Sequence, residues 1–257
     1  MTIDLNDKTI LITGASRGIG EATARHFAAE GANVVMMARN AARLDEIAQD
    51  IRGSGGAASV FAGDVSLYGD VEKAVGMAVE AYGGLNILVN NAGVIDPIAH
   101  LADSDPDAWG KVIDINVKGV YHGLRAAIPA MLRTGGGTVI NISSGAATSA
   151  LEGWSHYCCS KAAVLSLTAC ADKEYAGRGI RVVGLSPGTV ATEMQVSIKA
   201  SGINPVSQLD PSVHIPTDWV AKAVAYLTGE GGAAYAGRDF SLRSDEGRRA
   251  LGLPLDG

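Results

Sequence analysis

The chain has 257 residues, 47% of them apolar and 19% charged, with 21 Lys plus Arg against 27 Asp plus Glu and a net charge of −6. That composition excludes a disordered chain, and the length is enough to bury a core without disulfides or structural metal. The acidic balance argues against nucleic acid or an anionic membrane as the main partner, because neither finds a basic footprint.

In chain order, Lys8–Thr13 is a short β-branched run that predicts a strand, and Gly18–Glu30 has helical periodicity. Strand and helix then alternate: strand at Asn33–Ala38, helix at Ala41–Arg52, strand at Ala57–Ala62, helix at Asp70–Tyr82, strand at Leu85–Asn90. A long helix is expected over Pro106–Leu132, then strand Gly137–Ile142, helix His156–Ala176, strand Ile180–Leu185, helix Asp218–Leu227 and a last strand at Arg238–Leu242. Strands that are apolar along their length and separated by helices imply a parallel sheet covered on both faces. Right-handed crossovers then lead to a three-layer, doubly wound α/β fold of the Rossmann type, with seven strands in one domain spanning residues 1–257. The least regular stretch, Met194–Thr217, holds Gly202, Pro205, Pro211 and Pro216 and reads either as a substrate lid or as a plain connection.

Cys158, Cys159 and Cys170 are odd in number and two are adjacent, so neither a disulfide framework nor a zinc site is expected. Met1–Lys8 carries Asp4 and Asp7 and no apolar signal core, and no run of 18 apolar residues occurs. The expectation is a cytoplasmic protein with no membrane partner.

Thr13-Gly14-Ala15-Ser16-Arg17-Gly18-Ile19-Gly20 follows the first strand and opens the first helix. Glycines there allow a tight turn and close approach to a diphosphate, and a helix N-terminus offers free N–H groups with partial positive charge. The spacing Gly-x-x-x-Gly-x-Gly differs from the usual Gly-x-Gly-x-x-Gly. The end of the second strand, Met37-Ala38-Arg39-Asn40, lacks the acid that would bind a free ribose 2′-hydroxyl. Arg39 and Arg17 are either two solvated arginines or a fork for a 2′-phosphate. A charge-assisted bond of this kind is worth ~1.5–3 kcal/mol and favours NADP(H), with NAD(H) possible.

Tyr157 and Lys161 lie four apart and share a helix face. Lowering a tyrosine from ~10 to ~7 takes about 4 kcal/mol, which an ammonium group ~4 Å away at an effective dielectric of ~20 supplies. On that arithmetic Lys161 poises Tyr157 as a general acid or base near neutral pH. Ser144 ends the fifth strand, where a hydroxyl can hold a substrate carbonyl oxygen. Each piece has a plainer reading: a surface Tyr–Lys pair, a turn at Ser143-Ser144, a satisfied polar group at Asn116.

Together these motifs resemble the short-chain dehydrogenase/reductase family of the single-domain type, from about Lys8 to Leu242. The resemblance rests on the glycine turn, Asp64-Val65, Asn90-Asn91-Ala92-Gly93, Asn116, Ser144, Tyr157-Cys-Cys-Ser-Lys161 and Pro187-Gly188-Thr-Val190-Ala-Thr192. It implies that the turn from Gly14 through Ser16, Arg17, Gly18, Ile19 and Gly20 holds the adenosine ribose and diphosphate. Asp64 and Val65 would take the adenine, Asn91, Ala92 and Gly93 would floor the cofactor, and Pro187, Gly188, Val190 and Thr192 would meet the nicotinamide carboxamide. By the same resemblance Tyr157 exchanges the proton, Ser144 orients the substrate oxygen and Lys161 binds the nicotinamide ribose. Asn116 would keep a helix kink and a water that connects Lys161 to solvent. A narrower likeness, Pro187–Val196 with a short lid, is to the benzil- and sepiapterin-reductase branch, with Trp154 as an aromatic wall and Met194 as a lid contact, or both as core packing. The expected activity is NADP(H)-dependent reduction of a carbonyl or oxidation of a secondary alcohol, in a homodimer or homotetramer built on 106–132 and 156–176. An NAD-dependent alcohol dehydrogenase and a non-catalytic dinucleotide sensor are the alternatives.

Overall fold

Successive residues of a strand point to opposite faces, and here both faces are apolar. In the computed structural model, which describes residues 4–255, Ile10 and Ile12 of strand β1 (Thr9–Thr13) face one side and Leu11 the other. Strand β2 (Asn33–Ala38) repeats this with Val34 and Met36 against Val35 and Met37. Such strands need cover on both sides. Helices α1 (Gly18–Ala29) and α2 (Ala41–Gly53) cover the first face with Phe27, Leu44 and Ile47. The second face is covered by α3 (Tyr68–Tyr82), through Val71, Ala74 and Ala78. Each fully buried Ile, Leu or Met stabilises the fold by ~1.5–3 kcal/mol in transfer free energy.

The remaining strands are β3 (Ala57–Ala62), β4 (Ile87–Asn90), β5 (Gly137–Ile142), β6 (Ile180–Ser186) and β7 (Asp239–Ser241). All neighbours are parallel, in the order β3-β2-β1-β4-β5-β6-β7. The order reverses between β1 and β4, which leaves a crevice beyond the carboxyl ends of the strands. The glycine turn, Asp64-Val65, Asn91–Gly93, Ser144 and Pro187–Thr192 each lie just past one of those ends.

The expected helix over 106–132 is two helices, α4 (Pro106–Ile113) and α5 (Gly119–Arg133), joined by one wide π-helical turn, Asp114–Lys118. Asp105 caps α4 by accepting from the Ala108 N–H at 2.8 Å. Helix α6 (Ser155–Tyr175) follows β5, and α8 (Thr217–Thr228) packs Val220, Val224 and Leu227 beside α1 on the first face. Two helices were not foreseen. Within the stretch read as irregular, Glu193–Ser201 forms α7, which buries only Ile198 and so shows no apolar stripe. The short α9 (Asp245–Ala250) has no large apolar residue at all. Among the described residues no helix is long and apolar enough to cross a membrane.

Candidate active site

The cofactor side is built from backbone. Gly14 and Gly18 take the left-handed conformation, at φ 65° and 56°. A Cβ at Gly14 would stand 2.8 Å from Ala92 Cα, and one at Gly20 would stand 2.8 Å from Ala15 Cα. The turn is stitched to the end of β4: Asn91 Nδ2 donates to the Thr13 and Gly14 carbonyls at 2.9 and 3.1 Å, and Thr13 Oγ1 accepts from the Asn91 and Ala92 N–H groups. No side chain caps α1, whereas Asn40 caps α2 and Asp105 caps α4. Uncapped N–H groups beside a turn that admits no Cβ fit the diphosphate of a dinucleotide.

Around that turn, Arg39 is exposed just past β2. Asp64 accepts from both the backbone N–H and the hydroxyl of Ser66, at 2.9 and 2.8 Å. Burial pushes its carboxyl up, but the Ser66 bonds and the charges of Arg39 and Lys111 outweigh this and hold it below the usual range. Val65 is buried against Gly119. Gly93 sits beside the Asn116 side chain. On the other flank Gly188 is left-handed at φ 79°. Val190 pairs with Ile215, which straps the segment from Pro187 to Thr192 in place. Thr192 faces Gly18. Arg17 does not turn toward Arg39; its guanidinium is paired with Glu193 at the start of α7. The expected fork of two arginines is therefore reduced to Arg39 in this arrangement.

The other side is built from buried side chains. Tyr157 and Lys161 share one face of α6, with Lys161 Nζ 5.6 Å from the centroid of the Tyr157 ring. Both are buried, at 8% and 6% exposure. Lys161 Nζ donates to the Ile142 carbonyl at 2.7 Å. Ser144, just past β5, accepts from the Ala146 N–H at 3.2 Å, and its hydroxyl lies close enough to the Tyr157 phenol to oppose the effect of burial on it. Asn116 occupies the π-helical turn: its Oδ1 accepts from Val94 N, and its Nδ2 donates to Val94 O at 2.9 Å and to Ser160 Oγ at 3.0 Å. Ser160 in turn donates to the Tyr157 carbonyl. Trp154 meets Tyr157 edge-on, with centroids 5.6 Å apart, and Ile95, Ile198 and Met194 complete an apolar wall.

The direction of ionisation corrects the sequence arithmetic. Burial pushes the Tyr157 phenol up to about 12, against a smaller lowering by Ser144. Burial likewise pushes the Lys161 ammonium down to about 8, against a raising by Asp239. Desolvation outweighs the opposing influence on each group, Ser144 on the phenol and Asp239 on the ammonium, and the ammonium is directed at the Ile142 carbonyl. Burial thus favours the neutral, protonated phenol.

Two residues of this corner were missed, Ser143 and Asp239, which hydrogen-bond to one another at 2.8 Å. An acid in the expected last strand, Arg238–Leu242, was the available signal. Among the described residues no group of three His, Cys, Asp or Glu side chains is placed to hold a metal ion.

Residues 8–202 match the family model for short chain dehydrogenases. The 2,5-dichloro-2,5-cyclohexadiene-1,4-diol dehydrogenase LinX of Sphingobium indicum is 36% identical over 255 residues, covering 98% of this chain and 96% of that protein. The cyclohexanol dehydrogenase of an Acinetobacter species is 30% identical over 243 residues, covering 93% and 95%. The crystal structure of an NAD+-bound xylitol dehydrogenase superposes with a TM-score of 0.86 at 26% identity, covering 93% of this chain and 99% of that one.

Proposed function

The chain belongs to the short-chain dehydrogenase family, and from that premise we propose that it is an NADP(H)-using oxidoreductase interconverting a secondary alcohol and its ketone. The observation that carries this reading is the buried pair on α6, with Lys161 Nζ 5.6 Å from the Tyr157 ring and Ser144 beside the phenol. When bound in the cradle, the nicotinamide supplies the two-electron redox chemistry. The chain's own residues do the rest. The glycine turn and the start of α1 hold the diphosphate, Asp64 and Val65 receive the adenine, and Asn91, Ala92 and Gly93 form the floor. The segment from Pro187 to Thr192 meets the carboxamide. Arg39 reaches a 2′-phosphate, and no acid in Met37–Asn40 repels it. Ser144 and Tyr157 grip the substrate oxygen, and Tyr157 gives up its proton to that oxygen during reduction. Lys161 supplies positive charge beside the phenol as that proton leaves, and Asn116 fixes the turn of α6 that carries both.

Substrate size and polarity follow from the wall of Ile95, Trp154, Met194 and Ile198, which contains no charged side chain. An apolar alicyclic alcohol or ketone suits it, in line with the cyclohexanol and cyclohexadienediol named for the two relatives. Helix α7 and the turns up to Thr217 act as the lid. The assembly expected is a homodimer or homotetramer through α4–α5 and α6, which a monomeric mass in solution would remove. The test is oxidation of NADPH and of NADH over a panel of cyclohexanones and vicinal diketones, with the alcohols and NADP+ in reverse. Turnover with NADPH preferred is expected. A preference for NADH, the reading favoured by the NAD+-bound neighbour, would overturn the cofactor assignment alone. Dinucleotide binding without turnover on any substrate would replace the enzyme with a sensor.

A further inference from the structure

Strand β7 is only three residues long and carries an acid, Asp239, at its first position. Its side chain turns inward across β6. A Cβ at Gly184 would collide with Asp239 Oδ1, so that glycine makes the slot in which the carboxylate lies. Oδ2 accepts from Ser143 Oγ at 2.8 Å, and Oδ1 is buried without a hydrogen-bond partner among the described residues. An acid placed this way loses solvation that one neutral hydroxyl does not replace. A charged strand residue with an unsatisfied oxygen needs a compensating charge nearby.

The cation on that side of the sheet is Lys161, with no direct ion pair between it and Asp239. Its Nζ is anchored on the Ile142 carbonyl, one residue before Ser143, so the ammonium and the carboxylate flank the same end of β5. Two of the other charged groups around them, Arg238 and Asp172, are engaged elsewhere, and Arg243 is exposed at the rim. Arg238 directs its guanidinium at the Ala234 carbonyl, Asp172 accepts from Val182 N, and Arg243 lies over Gly145 and Gly188. Tyr157, on the same helix as Lys161, is a neutral phenol. Asp239 and Ser144 also line one cavity of about 410 Å³, together with Thr148, Leu165 and Ser186.

We propose that Asp239 is a positioning residue of this site: its carboxylate, fixed by Ser143 in the slot at Gly184, supplies the negative charge that keeps Lys161 an ammonium at the pH of turnover. The proposal rests on the reading that Lys161 serves the reaction as a cation. Burial alone drives Lys161 toward the neutral amine and Asp239 toward the neutral acid, and each charge opposes the other's loss. Removing the carboxylate therefore moves the loss of the Lys161 proton to lower pH. The alkaline limb of activity moves with it.

The decisive measurement is the titration of Lys161 in the cofactor-free protein, followed by NMR of 13Cε-labelled lysine, with K161R to assign the signal. In Asp239→Asn the midpoint is expected about one pH unit below that of the wild type. The alkaline limb of kcat is expected to fall by the same amount, with KM for the dinucleotide unchanged. Asp239→Val, which removes the buried acid and suits a strand, is expected to show the same displacement with a raised melting temperature, and it serves if the asparagine variant does not fold. A residue that only braces the strand would change the melting temperature and leave the midpoint in place, and that result overturns the proposal. The NMR titration needs neither substrate nor cofactor. A displaced midpoint in a protein that turns over nothing would refute the enzymatic reading, and with it the positioning role, while keeping the electrostatic link between Asp239 and Lys161.

Discussion

The two sides of the crevice are made of different materials. The cradle at the end of β1 uses backbone, with glycines where side chains do not fit and an uncapped helix start. The corner at the end of β5 uses buried ionisable side chains whose protonation is displaced from its ordinary range. Backbone N–H groups hold an anion without changing state, so the cradle can be rigid and permanently complete. A proton donor must change state, so the corner keeps a phenol and an ammonium in surroundings that favour neither charge. Damage to the cradle should appear as lost binding and lost stability together. Damage to the corner should separate the two.

The sharpest break in that comparison is Tyr157→Phe. Loss of a positioned proton donor should lower kcat by ~10²–10⁴ with dinucleotide affinity retained, measured by steady-state kinetics beside a binding titration. Next is Gly20→Ala, whose new methyl meets Ala15 Cα at 2.8 Å and Asn91 Nδ2 at 2.7 Å. Overpacking of this kind costs ~1–3 kcal/mol, so denaturant unfolding and dinucleotide titration should both show the loss. Gly53→Ala, which meets nothing within 4 Å, is the control and should show neither.

Lys161→Met reverses the usual sense of a damaging substitution. The folded state depresses this amine from 10.5 to about 8, so between those values the unfolded chain binds more protons and stability rises with pH. Burying the ammonium costs stability that is fully felt below about pH 8 and fades toward 10.5. The variant should be inactive yet more stable than wild type at pH 7, by about 1–2 kcal/mol after loss of the bond to Ile142, with the advantage gone near pH 10.5. Thermal melts at both pH values decide this; equal destabilisation at each would refute it. The smallest effect belongs to Arg39→Ala, expected to cut the preference for NADPH over NADH by ~10-fold with little change in melting temperature.

How much of this was legible depended on the range of the interaction. Alternating apolar strands, the glycine turn and the four-residue spacing of Tyr157 and Lys161 are local, and a sequence displays them directly. The sign of the Tyr157 displacement is not local, because it depends on how completely Trp154, Ile95 and Ile198 exclude water. Arg17 and Glu193 are 176 residues apart, and nothing near either one announces the other. The resemblance implied a kink at Asn116 and a π-helical turn stands there, but the turn itself, one residue wider than its neighbours, was not read from the periodicity of 106–132. Asp239 was visible as an acid in a strand, but its link to Ser143 required the β5–β6–β7 register.

Helix α7 has a foot on each bank of the crevice. Glu193 at its first turn holds Arg17 above the glycine turn, while Met194 and Ile198, one and five residues on, press against the group around Tyr157. A stiff rod pinned at two places cannot lift from one without tilting at the other. If α7 is the lid of the proposed reaction, exchange of the dinucleotide and exchange of the alcohol would both require that helix to tilt, and its tilting would then cap turnover.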